Sequence, residues 1–95
     1  HPRAYLGLGL LHQQRRDFAA AAAVLEEGLR TGGAEPALHL ALAVTRMNQG
    51  DFGAALEVLA PLGDDPQARA YREECLRVQG RSQKAPAAAR RRETH

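Results

Sequence analysis

Apolar residues recur every three or four positions along most of the chain, the spacing of a helix with one buried face. The first two apolar runs consist of Tyr5, Leu8 and Leu11 and then of Phe18, Ala21, Ala22, Leu25 and Leu29. Breaks in this pattern predict helices near 2–15, 18–31, 35–49, 52–61 and 66–79. The hydrophobic residues are mainly Ala and Leu, with no Trp and only four other aromatic residues. This composition favours closely packed helices over a sheet, so we predict the all-α class.

The chain repeats itself with a period of about 34 residues. Asp17-Phe18 and Asp51-Phe52 are separated by this period, and each pair opens an Ala-rich segment that runs into Val-Leu. In the same register Leu8-Gly9 corresponds to Leu42-Ala43, which places a small residue where two helices approach closely. A period of this length is typical of helical hairpins that stack on one another.

Turn residues separate the two predicted helices of each unit. Asp17 and Asp51 stand just before the second helix, so we expect each carboxylate to accept hydrogen bonds from that helix's free N–H groups. Gly50 precedes Asp51 at the turn, whereas the equivalent residue of the first unit is Arg16. Pro36 is tolerated in the first turn of the third helix.

These features together resemble the tetratricopeptide-repeat (TPR) family: the period, Leu-Gly or Leu-Ala in the first helix, Gly-Asp-Phe at the turn and Ala in the second helix. The resemblance covers about residues 2–65, with a degenerate half-repeat to 79. It departs from the family at Tyr5 and His39, where many members have Trp. The resemblance implies about two and a half helical hairpins stacked as a short right-handed solenoid.

The implied domain spans residues 1–79. It contains repeats at about 2–33 and 35–65 and a capping helix at 66–79. After Gly80 the sequence has no periodic apolar face, and we predict that residues 80–95 form a disordered basic tail.

The resemblance also implies a function. The first helix of each TPR hairpin lines the concave side of the solenoid, so the implied partner-binding residues are Leu6, Leu10, Gln13, Leu40, Val44 and Met47. The aliphatic members of this set lack the N–H donors that a carboxylate clamp needs. They suit a protein or peptide segment with aliphatic anchors, bound by a non-enzymatic interaction module. The alternative is that these residues pack against another helix or a second copy of the chain, as part of a structural or self-associating TPR segment of a larger protein.

A narrower resemblance is to the small TPR chaperones of bacterial type III secretion systems. It is carried by 4–9, by Glu35-Pro36, by 49–51 and by Ala54-Ala55. Those chaperones hold translocator or export-component segments in a hydrophobic concave groove in the bacterial cytoplasm. The resemblance therefore implies a cytoplasmic chaperone with a translocator or export-component segment as its partner.

No catalytic residues, metal site or cofactor are predicted from the side chains. The histidines lie at the two ends and on separate predicted helices, without the short spacing of a metal-binding pair. Cys75 lies on an apolar line with no His nearby, which predicts a packed thiol rather than a nucleophile. A single cysteine also gives no sign of an oxidising compartment, so the predicted location is cytoplasmic.

The charge distribution argues against nucleic acid as the main partner. The net charge is +2 and the pI is about 9.2. Residues 81–95 carry +4 of this charge, which leaves residues 1–80 at about −2. The basic character therefore belongs to the predicted tail, and nucleic-acid binding through that tail is a third hypothesis. No run of about 18 apolar residues predicts a membrane span.

Overall fold

A computed structural model describes the backbone of residues 2–32 and 35–94 and the side chains of residues 3–31 and 35–80. The helices are α1 (Pro2–Gln14), α2 (Phe18–Gly32), α3 (Pro36–Asn48), α4 (Phe52–Leu59) and α5 (Pro66–Thr94), with a 3-10 turn at Ala60–Leu62. The predicted all-α class is confirmed. The bounds of the first four helices agree with the predicted ones to within two residues.

The helices form two hairpins and a final helix. The first hairpin pairs α1 with α2 and the second pairs α3 with α4. Helix α3 packs on both helices of the first hairpin, and α5 packs on α3 and α4. Helices α1, α3 and α5 are thus the first helices of successive units, as in a short helical-repeat solenoid.

Two clusters of buried side chains hold the units together. The first cluster joins α1, α2 and α3 and contains Ala22, Leu25, Leu38, Ala41 and Leu42. The second joins α3, α4 and α5 and contains Ala43, Ala55, Leu59, Ala68 and Cys75. Five of these ten residues are alanine, so the helices pack closely and a 95-residue chain builds its core with few large side chains.

Aspartate side chains cap three helices. Asp17, Asp51 and Asp65 each accept a hydrogen bond at Oδ1 from the backbone N–H three residues further on, with N–O distances of 3.3, 3.1 and 3.0 Å. The predicted caps at Asp17 and Asp51 are confirmed. Asp65 does the same for α5, where the sequence analysis had named no cap.

The turns inside the two hairpins share one backbone conformation. Gly50 has a φ of 80°, and Arg16, its equivalent in the first hairpin, has a φ of 60°. Glycine adopts this left-handed region freely, whereas a residue with a Cβ atom is strained there. The first turn therefore keeps the geometry of the second at an energetic cost.

The last helix differs from the prediction. Helix α5 continues to Thr94, whereas the sequence predicted that it ends at 79 and is followed by a disordered tail over 80–95. The prediction relied on apolar periodicity, which this segment lacks. The segment 81–95 nevertheless contains four Ala and four Arg residues, which have high intrinsic helix propensity. His95 lies outside the described residues, and a division into domain and tail near residue 80 stays a prediction.

Over the residues that the structure describes, each helix is too short or too polar to pass through a lipid bilayer.

Candidate functional site

Helices α1, α3 and α5 together form an open cavity of about 380 Å³, which we call the groove. Its lining consists of Leu6, Leu10 and Gln13 from α1, Ala37, Leu40, Ala41 and Val44 from α3, and Gln67 and Tyr71 from α5. The α1 residues are spaced by four and three positions, so they share one helical face. None of the nine side chains in this lining is charged.

Five of the six predicted partner-binding residues line the groove, namely Leu6, Leu10, Gln13, Leu40 and Val44. Met47 does not line it. The half-buried Met47 side chain packs instead against the second core cluster, which α4 and α5 complete. The TPR resemblance implied that Met47, on the first helix of the second hairpin, lies on the concave side. The position of α5 decides which turns of α3 stay open, and a periodic pattern does not show that position.

Two groove residues on α5 were missed, because this helix was interpreted only as a cap. Gln67 and Tyr71 are one and five residues after Pro66. Ala37 and Ala41, which line the groove on α3, are likewise one and five residues after Pro36. The third unit follows the second at a shorter interval than the repeat period, because α4 has only 8 residues whereas α2 has 15. The matching prolines at the starts of the two helices were a signal of this register in the sequence.

A second, more polar cavity of about 390 Å³ adjoins the groove. It shares Leu10 and Gln13 with the groove, and its remaining lining is Gln14, Arg16, Phe18 and Asn48. The guanidinium of Arg16 lies 5.8 Å from the centre of the Phe18 ring. One end of the groove is therefore bordered by amide side chains and a cation.

The Gln13 side chain is held in one orientation. Its Nε2 donates to the backbone oxygen of Ala41 at 2.8 Å and to Thr45 Oγ1. Thr45 is fully buried, and its hydroxyl in turn donates to the same Ala41 oxygen at 2.9 Å. A backbone oxygen accepts hydrogen bonds only, so the amide nitrogen of Gln13 must face α3. The remaining amide atom, Oε1, is a hydrogen-bond acceptor.

The comparisons with known proteins agree with this architecture. The family model described as tetratricopeptide repeat matches residues 12–73, which is more than half of the chain. The chain belongs to the tetratricopeptide-repeat family. TPR domains are, as a class, protein–protein interaction modules. Neither a search of curated proteins nor a search of solved structures found a match to the chain.

The other chemically notable residues of this TPR chain serve packing and orientation. His39 Nδ1 lies 3.2 Å from the backbone oxygen of Val58, so that nitrogen carries the proton and ties α3 to α4. Cys75 is completely buried in the second core cluster, and burial raises the pKa of its thiol. The predicted packed thiol is confirmed.

Among the side chains that the structure describes, the charged ones lie outside the groove. Arg46 on α3 forms an ion pair with Glu26 on α2, and Glu27 pairs with Arg30 within α2. Across the described part of the chain, His, Cys, Asp and Glu residues form no group of three or more that could hold a metal ion.

Proposed function

We propose that this TPR domain binds a segment of a partner protein in the groove, and that aliphatic side chains of the segment enter it. The observation that carries the proposal is that Leu6, Leu10, Leu40 and Val44 come from two different hairpins and line a single open cavity. Each aliphatic anchor buried there contributes roughly 1.5–3 kcal/mol to binding. The lining also suits binding better than acid–base catalysis, because Tyr71 is its one titratable side chain.

The groove favours uncharged anchors over a terminal carboxylate. A carboxylate bound there would lose its hydration and meet no Lys or Arg side chain in the lining. The polar end near Gln14, Arg16 and Asn48 gives the bound segment a place to leave the groove. An extended or helical segment with two or more aliphatic side chains satisfies both features.

The resemblance to type III secretion chaperones is a narrower form of the same proposal. In that form the segment belongs to a translocator or export component and the complex forms in the bacterial cytoplasm. The alternative is a structural TPR segment of a larger protein, in which other helices fill the groove. The groove-binding proposal predicts that the isolated chain captures an added peptide, whereas the structural alternative predicts that it does not.

The test uses the full chain and a library of short synthetic peptides that carry paired Leu, Ile or Val residues. Peptides selected on the chain are measured by fluorescence anisotropy against the double variant Leu10→Glu/Val44→Glu. We expect the affinity to fall by at least about 100-fold, because two anchor contacts are replaced by carboxylates. Retained affinity in a variant with unchanged helical circular dichroism would contradict the proposal, and so would failure to select any peptide.

Leu76→Glu is the matched control. Leu76 is 53% exposed and Leu10 is 42% exposed, but only Leu10 lines the groove. The control should bind the selected peptides like the unmodified chain. Equal losses in both variants would mean that added negative charge, rather than the groove, causes the effect.

A further inference from the structure

Helix α1 exposes apolar side chains on a second face that is not part of the groove. Leu8 is 47% exposed and Leu11 is 41% exposed. Neither residue lines the groove or the adjoining polar cavity. Ala4 lies four positions before Leu8 and Gly7 lies four positions before Leu11, on the same side of the helix, and we call these four residues the α1 edge.

The internal repeat shows what this face does elsewhere in the same chain. In the register of the repeat, the α1 edge, Ala4, Gly7, Leu8 and Leu11, corresponds to Leu38, Ala41, Leu42 and Thr45 of α3. The side chains of these four α3 residues are between 0% and 7% exposed. Equivalent positions are thus buried in the second unit and open in the first.

The whole first hairpin covers the α3 positions. Leu38 and Leu42 belong to the core cluster that contains Ala22 and Leu25 of α2. Ala41 and Thr45 receive the hydrogen bonds of Gln13 from α1. The cover is therefore a hairpin, whose second helix supplies an Ala/Leu stripe and whose first helix supplies a polar side chain.

The opposite end of the solenoid is built differently. In the register that aligns Pro66 with Pro36, the α5 residues equivalent to His39 and Ala43 are Arg69 and Glu73. Both are exposed, and Leu76 is the one large apolar residue exposed on that helix within the described side chains. A polar outer face is what terminates a stack of repeats. The α5 end therefore has the character of a cap, whereas the α1 edge does not.

We propose that the α1 edge is a docking surface for a further helical hairpin with the side-chain pattern of α1–α2. This hairpin would place an Ala/Leu stripe on Ala4 and Leu8 and a hydrogen-bonding or small side chain beside Gly7 and Leu11. A second copy of the chain does not supply such a hairpin, because its own α3 already covers the α2 stripe. The proposal is independent of the groove, which lies on another face of α1.

The experiment adds such a hairpin in the register of the repeat. A duplicate of residues 2–35 is fused ahead of Pro2 of the full chain, so that the new junction reproduces the connection between α2 and α3. We expect one cooperative melting transition with a Tm on the order of 5–10 °C above that of the unfused chain, because two leucine side chains become buried. Amide hydrogens of the original α1 should also exchange at least about 10-fold more slowly.

Matched variants locate the effect. Leu8→Glu/Leu11→Glu in the original α1 should abolish the gain in Tm and in protection. The same pair of substitutions in the duplicated outer α1, or in the unfused chain, should leave the Tm within about 2 °C, because those side chains stay exposed.

Two results would overturn the proposal. One is an unchanged Tm and unchanged exchange of α1 in the fused chain. The other is that the unfused chain sediments as a dimer that Leu8→Glu/Leu11→Glu dissociates, since this would assign the edge to self-association instead.

Discussion

Gly9 of α1 and Leu25 of α2 are in such close contact that a Cβ atom added to Gly9 would lie 2.5 Å from Leu25 Cδ2 and 2.6 Å from Leu25 Cγ. Leu25 is completely buried and cannot move aside without disturbing the first core cluster. The small residue expected from the Leu-Gly and Leu-Ala correspondence is therefore required by the packing of the hairpin. At this position glycine sets the distance between the two helices.

This contact makes Gly9→Ala destabilising even though alanine is the better helix former. We expect the free energy of unfolding to fall by about 1–3 kcal/mol, the usual cost of overpacking a filled core. Gly7→Ala is the control, because a Cβ atom at Gly7 meets nothing within 4 Å. That variant should gain up to about 1 kcal/mol from helix propensity alone. Urea denaturation of both variants measures the difference, and equal effects would contradict the close contact.

The left-handed turn at Arg16 predicts a stabilising substitution. Replacing Arg16, with its φ of 60°, by glycine removes the steric strain of a Cβ atom, and we expect a gain of about 1 kcal/mol. Gly50→Ala should lose about as much, because the equivalent turn of the second hairpin has a φ of 80°. Thermal melts of the two variants should shift in opposite directions. A loss of stability in Arg16→Gly would show that the side chain's contact with Phe18 outweighs the strain.

Gln13 lines the groove and also donates hydrogen bonds to the buried residues Ala41 and Thr45. Replacing its amide nitrogen by an oxygen atom should therefore lower the stability of the fold. In Gln13→Glu the ionised side chain has no donor for the Ala41 oxygen or for Thr45 Oγ1. We expect the free energy of unfolding to fall by about 1–3 kcal/mol, because a half-buried hydrogen-bond network loses its donor. Gln14→Glu, at the exposed neighbouring position, should change it by less than about 0.5 kcal/mol. Similar effects of both substitutions, measured by urea denaturation at neutral pH, would contradict this assignment.

Cys75 predicts a loss of stability at alkaline pH. Burial raises the pKa of its thiol above the ordinary value of 9.0. In alkali the unfolded chain therefore loses the thiol proton before the folded chain does. The stabilising contribution is complete below the unfolded pKa and is lost as pH rises towards the folded pKa, at up to about 1.4 kcal/mol per pH unit.

The measurement is the difference between the unmodified chain and Cys75→Ala in urea denaturation from neutral to alkaline pH. The unmodified chain should lose more stability than the variant above about pH 9. The comparison removes the contributions that the two proteins have in common. Parallel curves would show that the thiol titrates equally in the folded and unfolded states.

Much of the fold could be predicted from the sequence, because the signals are local. The apolar spacing of Phe18, Leu25 and Leu29 defines a helix face whatever packs on it, and Asp17 and Asp51 cap the helix that follows them. The repeat period then implies that two such hairpins stack. The resemblance to the TPR family, which this repeat carries, implied the six partner-binding residues, and five of them line the groove.

Tertiary structure decided which neighbour covers each helical face. Met47 has the spacing of a groove residue but packs into the second core cluster, whereas Tyr71 lines the groove from a helix interpreted as a cap. Leu8 and Leu42 are the same residue type at equivalent repeat positions, yet only Leu42 is buried, because the first hairpin lies against α3. A repeat pattern specifies the face that a helix offers, but burial depends on whether another helix occupies that side.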